Sequence, residues 1–299
     1  MSDARPLIIF HADCTDGFTA AWIAARALGD VELFPAFYGV PPPDVTDRTV
    51  WMLDFAYPRS VMEQLGRAAA ELGVIDHHQT AAAALAGLEA QMLAEGRRVG
   101  VIFEQERSGA GLAWDYFVEG GDYAVPAVLQ NAEWLALYVE DRDLWRWKLH
   151  RSRLVSAGIE AVPKTLEAWD ALAARSPGEL AVDGLIIERY RRICIAAAVT
   201  LARPARIGGA EILLANSSEM RFASDTAHEL AAGRPFGATW WLRADGKVQF
   251  SLRSREDGVD VSEVAKQYGG GGHRHAAGFQ VPFEQLGSFV AEAPAAEAR

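Results

Sequence analysis

The sequence predicts an α/β protein with a parallel-sheet domain over residues 1–150, a helical connector over 151–203 and a smaller α/β domain over 204–299. Three observations lead there. Apolar runs rich in β-branched and aromatic residues alternate with helical patterns through the first half, the order expected of βαβ units around a parallel sheet. The middle is helical by pattern. After Pro204 short strand-like runs return, interleaved with helical segments, as in a second domain with its own sheet.

The first strand is LIIF at 7–10, followed by an alanine-rich helix over 19–29, VELFPAF at 31–37 and VWMLDF at 50–55. Pro58 introduces a helix, GVID ends a strand at Asp76, the alanines at 81–86 carry another helix, and GVIF at 100–103 makes one more strand. Helical patterns then cover 108–118, 124–140, 163–174 and 178–202. The last part offers AEILLAN, a helix over 224–232, FGATWWL, KVQFSLRS, a helix over 260–267, a glycine run and AAGFQV. Asp54 and Asp76 thus both close strands of one parallel sheet, and ligands of such sheets collect at the carboxyl ends of the strands.

With 299 residues, half of them apolar, the chain can bury a sizeable core and exceeds the usual size of one domain. No run of about 18 apolar residues occurs. The N-terminus, MSDARPLIIFHAD, carries an aspartate and a histidine where a signal peptide has neither, so a cytoplasmic protein with no membrane partner is expected. Cys14 and Cys194 lie in unlike contexts and imply no disulfide framework. A net charge of −11 disfavours a protein that grips long duplex DNA, because such binding sums many Lys and Arg contacts to phosphate.

Five constellations carry chemistry. His11-Ala12-Asp13-Cys14-Thr15-Asp16-Gly17 packs several metal-ligand types between a strand and a helix, although helix capping by Asp16 or Thr15 is the plainer reading. Asp54 follows a run of large apolar groups, where a buried charge needs a partner or a metal. Asp76-His77-His78 sets two imidazoles after another acidic strand end. Glu140-Asp141-Arg142-Asp143 closes a helical pattern, where a charge run is usually a solvated terminus. Finally, the strand SLRS, with Arg253, precedes Gly269-Gly270-Gly271-Gly272-His273-Arg274-His275, whose backbone N–H groups and basic side chains suit an anion.

Together these motifs resemble the DHH phosphoesterase family, named for the triplet present here as Asp76-His77-His78, joined to a DHH-associated C-terminal domain. The resemblance spans nearly the whole chain, and the family includes RecJ-like exonucleases, nano-RNases and cyclic-nucleotide phosphodiesterases. It implies that 1–150 is a DHH catalytic domain with a dinuclear metal site and 204–299 the DHH-associated substrate-binding domain. It implies further that His11 and Asp13 hold one Mn²⁺ or Mg²⁺, that Asp16 and His77 hold the second, that Asp54 bridges them and that Asp143 completes the second site. Asp76 would support the cluster, His78 would contact the scissile phosphate, and Arg253, Gly271, Gly272 and His273 would grip the substrate's remaining phosphate. Two departures stand out. The family commonly places its first two aspartates one residue apart, whereas Cys14 and Thr15 separate Asp13 from Asp16 here, so either the loop bulges or Cys14 takes a ligand's place. In the fourth motif Asp141 is an alternative to Asp143, whose following residues resemble the family's pattern better.

The expected function is metal-dependent hydrolysis, with two divalent cations and Mn²⁺ ahead of Mg²⁺, of short oligonucleotides, nucleotide bisphosphates or cyclic dinucleotides. Pyrophosphate or polyphosphate hydrolysis is the rival within the same chemistry. A nonhydrolytic nucleotide sensor is the rival from another class, and it would lack ligands that the first four motifs here retain. No spanning helix or added single-strand-binding domain is evident, and the sequence leaves a homodimer open.

Overall fold

Strand alternation organises the first sheet. It comprises β1 (Leu7–His11), β2 (Glu32–Ala36), β3 (Thr49–Leu53), β4 (Glu71–Asp76) and β5 (Val99–Phe103), all parallel, in the order β2-β1-β3-β4-β5. Successive side chains of a strand point to opposite faces. Leu7 and Ile9, Val50 and Met52, and Leu72 and Val74 therefore feed one apolar cluster, while Ile8 and Phe10, Trp51 and Leu53, and Ile75 feed another. The expected strands and parallel arrangement are present in this computed structural model, which describes residues 5–12, 14–217 and 220–290.

Helices cover both faces. On one side lie α1 (Thr15–Leu28) and, later in the chain, α5 to α8; on the other lie α2 (Arg59–Ala68), α3 (Gln79–Leu85) and α4 (Leu88–Ala94). The former group comprises α5 (Gly109–Trp114), continued by a π-helical turn over Asp115–Glu119, then α6 (Glu133–Asp143), α7 (Ser152–Glu160) and α8 (Leu166–Ala173). The alanine-rich α1 allows close approach of its neighbours, and its buried Trp22 donates from Nε1 to Asp170 of α8 at 2.9 Å. Arg26 meets the same carboxylate at 2.7 and 2.8 Å, so one aspartate ties two helices by two donors. Trp51 finds its room over Gly73, its register partner in β4, where a Cβ would stand 2.3 Å from the indole.

The sequence expectation of a helix over 124–140 is corrected: residues 124–126 are irregular, 127–131 form turns, and α6 starts only at Glu133. Pro126 has no N–H to donate and pushes Val125 away from the helical region, so the apolar spacing there is met by single turns such as Leu129 N–H to Pro126 O. Neither α7 nor the division of the 79–94 segment into two short helices was foreseen. The long helix α9 (Pro177–Thr200) follows. Among the described residues no helix is long and apolar enough to cross a membrane.

The chain divides into two units, Met1–Glu188 and Arg189–Arg299. The second holds a six-stranded sheet in the order β10-β11-β9-β8-β7-β6, built from β6 (Arg203–Ile207), β7 (Ala210–Asn216), β8 (Gly237–Leu242), β9 (Lys247–Arg253), β10 (Gly271–His273) and β11 (Ala276–Pro282). Only the β7–β8 pair among these is parallel. One face carries a core of Val248, Phe250, Leu252, Phe279 and Val281, closed in part by α11 (Val261–Lys266), while α10 (Ala223–Leu230) lies against β8 and β9. The glycine run contributes a strand as well as turns: Gly271–His273 pairs with β11 and Gly269 takes φ 74°.

Candidate metal centre

The strand order reverses between β1 and β3: the chain leaves β1 toward β2 on one side and returns to β3 on the other. Loops leaving such a pair diverge and open a crevice at the carboxyl ends of the strands. His11 ends β1, Cys14 and Asp16 follow in the turn into α1, Asp54 is the first residue beyond β3, and Asp76 ends β4 with His77 and His78 next. Asp143 reaches the same place from the end of α6. Asp13 lies outside the described residues.

The donors converge. His77 Nε2 lies 3.3 Å from Asp54 Oδ1, 3.4 Å from Asp143 Oδ2 and 3.8 Å from Asp16 Oδ2. His11 Nδ1 is 3.7 Å from Asp54 Oδ2, and His78 Nδ1 is 3.7 Å from Asp54 Oδ1. Within the first unit three overlapping groups result, each with its ligand atoms within 4.8 Å of one another: His11, Cys14 and Asp54; Asp16, His77 and Asp143; and Asp54, Asp76, His77 and His78. Asp54 belongs to two of them and stands between His11 and His77.

Each carboxylate is held differently. Asp16 accepts from the backbone N–H of Gly109 at 2.6 Å and of Ala110 at 2.9 Å, which fixes its orientation from the far side of the sequence. Asp76 Oδ1 accepts from the N–H of His77 and His78 and meets His78 Nδ1 at 2.7 Å. Asp54 is 1% exposed, and neither of its carboxylate oxygens has a hydrogen-bond partner. A buried carboxylate left so is costly unless something positive completes it. Its backbone, at φ 53°, sits in the left-handed region that non-glycine residues avoid, a strain found where a site needs one side chain aimed. Two glycines make room: a Cβ on Gly17 would come 3.0 Å from Asp54 Oδ2, and one on Gly109 would come 2.7 Å from Asp54 Cβ. An oxygen- and imidazole-rich donor set with an uncompleted buried carboxylate fits divalent cations.

Charges follow the crowding. Burial raises the Asp16 carboxyl well above its ordinary range, and the neighbouring Asp54 and Asp143 add to the rise. Burial acts on Asp54 in the same sense, but the imidazoles of His11 and His77 outweigh it and hold Asp54 well below. Burial opposes the charged form of His77, yet Asp54 and Asp143 push it up to about 10; His78 is likewise penalised by burial and pushed up to about 9, chiefly by Asp76. Cation binding needs neutral imidazole, whereas His77, pushed up to about 10 by its carboxylate neighbours, holds its proton at pH 7 in the metal-free protein. Loading at pH 7 is therefore expected to release about one proton through His77, and cation affinity to climb with pH through that range. Calorimetric titration in buffers of different ionisation enthalpy measures this, and heats independent of buffer would contradict it.

Asp141 and Asp143 part company although they share a helix end. Asp141 accepts from the N–H of Lys148 at 2.9 Å, from Leu149 and from the Ser152 hydroxyl, so it organises the turn into α7, while Asp143 faces His77. One neighbour gave no signal in the sequence: Tyr38, 45% exposed in the loop after β2, sets its ring edge-on to His11 at 5.5 Å between centroids and packs on Phe55.

In the second unit Arg253 ends β9 and His273 ends β10, and both register with Ala276 of β11. Directly paired residues share a face, so the two basic side chains flank one small residue in a row across the strands. Arg253 donates to the Ser224 hydroxyl at 2.6 Å and to Leu252 O at 2.8 Å. Gly271 and Gly272 lie in the same β10, and Gly272, at φ 140°, has no room for a side chain against Ala276 O.

Comparison with known proteins agrees with this layout. Residues 226–296 match the DHHA1 domain. An uncharacterized protein of Acanthamoeba polyphaga mimivirus is 25% identical over 95% of this chain and 71% of its own length. Oligoribonuclease NrnB of Bacillus subtilis is 50% identical over a 48-residue stretch, 16% of this chain and 12% of that protein. The fold is shared with RecJ of Thermus thermophilus, solved in complex with Mn²⁺, at a TM-score of 0.53 and 18% identity, over 95% of this chain and 50% of that one. The Asp76-His77-His78 triplet at the end of β4, the DHHA1 match in the second unit and this common fold agree with the resemblance to DHH phosphoesterases that the sequence carries.

Proposed function

We propose that the chain is a two-cation phosphohydrolase that cleaves short oligonucleotides, nucleotide bisphosphates or cyclic dinucleotides, with Mn²⁺ as the working ion and Mg²⁺ as its substitute. The observation that carries this reading is Asp54, a buried carboxylate with no hydrogen-bond partner on either oxygen, standing between His11 and His77. His11, Asp13, Asp16, Asp54, His77 and Asp143 are the proposed ligands, with Asp54 shared. When bound, a pair of divalent cations would acidify an attacking water and stabilise attacking and leaving oxygens of an in-line displacement.

The chain's own groups have separate tasks. Asp16, clamped by two backbone N–H groups, keeps its carboxylate in place without rearrangement. Asp76 holds His78 through Nδ1 at 2.7 Å, so that the other ring nitrogen of the imidazolium donates to a phosphate oxygen as charge develops there. In the second unit the row of Arg253 and His273, with Gly271 and Gly272 beside it, suits a further phosphate of the substrate. The local likeness to an oligoribonuclease and the net charge of −11 support a short substrate over long duplex DNA.

The test is release of mononucleotide or phosphate from labelled di- to pentanucleotides, phosphoadenosine phosphate, cyclic dinucleotides and pyrophosphate, in Mn²⁺ and in chelator. Turnover of a nucleotide substrate that stops with chelator is the expected result. Turnover of pyrophosphate alone would replace this reading by the pyrophosphatase, and binding without any turnover by the sensor.

A further inference from the structure

We propose that the Cys14 sulfur is a metal ligand, so that the position formed by His11, Cys14 and Asp54 prefers thiophilic cations such as Co²⁺ and Zn²⁺, and Mn²⁺ over Mg²⁺. The inference rests on the metal-centre reading above and deepens it, because it names the donor that distinguishes one cation position from the other. It starts from division of labour. Asp16, the acid of the first motif within the described residues, is bound by Gly109 and Ala110 N–H and faces His77, so it serves the other position. Among the described residues, what the same turn offers on the His11 side is sulfur: the donor atoms of His11, Cys14 and Asp54 lie within 4.8 Å of one another. Donors around one ion at about 2.0–2.3 Å are themselves about 3–4.6 Å apart, so this is the spacing of a ligand set.

The second observation is independent of the cysteine. Asp54 and His11 Nδ1 both present buried polar atoms without hydrogen-bond partners to this group, and Asp54 is 1% exposed. Cys14 itself is the residue before α1, with extended backbone at φ −93° and ψ 136°, and its side chain makes no capping bond; the cap is its carbonyl, which accepts from Phe18 N–H. The sulfur makes no capping bond, and the Gly17 N–H beside it favours its thiolate. A thiol in an apolar core is normally a small hydrophobe, but this one is surrounded by three carboxylates and an imidazole. On binding, the S–H proton passes to buffer and the thiolate lone pair goes to the cation, which adds a soft donor to a site otherwise of oxygen and nitrogen. Hard Mg²⁺, which keeps oxygen ligands and its waters, gains least from it.

The experiment is Co²⁺ titration of the full chain followed by absorption. A thiolate-to-cobalt charge-transfer band in the near ultraviolet is expected in the wild type and in Cys194→Ser, and is expected to disappear in Cys14→Ser. Zn²⁺ affinity by competition with a chromophoric chelator should fall at least about tenfold in Cys14→Ser, since even outer partners of a ligand are worth 10–100-fold. Cys14→Asp, which restores an anionic donor of the hard kind, should lose the band and shift the Zn²⁺-to-Mg²⁺ preference toward Mg²⁺. Visible cobalt bands without the charge-transfer band, or a band that survives Cys14→Ser, overturn the proposal. Absence of Co²⁺ binding overturns it together with the metal centre, whereas a correct band with no turnover of any phosphate ester sinks only the hydrolytic reading.

Discussion

Asp54→Asn is expected to reduce metal-dependent hydrolysis by about three orders of magnitude or more, while leaving the metal-free protein folded. Several kcal/mol of transition-state stabilisation depend on a cation pair, and about 4 kcal/mol corresponds to a thousandfold in rate. Asp54 is the carboxylate placed between both histidine-bearing groups, so its loss touches both positions. Asparagine is the right replacement because its short polar side chain tolerates the left-handed backbone at φ 53°, whereas alanine would add strain. In the metal-free protein His77 loses a counter-charge, which costs about 1–3 kcal/mol, less than a full buried pair because its imidazole can shed its proton. Thermal melts with and without Mn²⁺ complete the test: the rise in melting temperature that Mn²⁺ gives the wild type should be absent in the variant. Activity within tenfold of wild type would remove Asp54 from the bridging position.

Gly109→Ala is expected to injure stability and cation binding together. The added Cβ would stand 2.7 Å from Asp54 Cβ and 2.9 Å from Asp16 Oδ2. Neither neighbour has freedom to yield, since both are almost wholly buried and Asp16 is itself bonded to the Gly109 N–H at 2.6 Å. Overpacking of this kind costs about 1–3 kcal/mol, a fall of roughly 2–12 °C in melting temperature for a unit of this size. Because the displaced atoms belong to two of the proposed ligands, Mn²⁺ affinity should drop at least about tenfold as well. Gly100→Ala in β5 is the matched control: its Cβ would meet nothing within 4 Å, and it should change neither quantity. Equal behaviour of the two variants would refute the packing argument.

Much of the frame could be read in the sequence because it is local. Strands ending at Asp76 and stopping one residue short of Asp54 show as apolar runs that break on an acid, and the parallel order follows from their alternation with helices. What escaped was non-local or conformational. The donors to Asp16 come from residues 93 and 94 positions away, in a segment whose only sequence mark is Ser-Gly-Ala-Gly. No pattern of residue types announces that an aspartate will sit at φ 53°. Asp141 and Asp143 cannot be separated by spacing, since the difference lies in what each meets: the turn at Lys148 to Ser152 for one and His77 for the other. The glycine run looked like a loop built for N–H groups, yet three of its residues are strand, because pairing with β11 satisfies the same groups.

The reversal of strand order has a temporal consequence for a growing chain. Donors for the cluster arrive from β1, β3, β4 and the end of α6, so synthesis must proceed past Asp143 before the last of them can be delivered. Until then the acids at the strand ends remain hydrated, and the nascent polypeptide has no complete cage in which to trap an ion. Occupancy by a cation would then be a late event, a mark that the first unit has finished assembling. A cation that entered so late would lengthen the lifetime of the folded protein rather than hasten its birth.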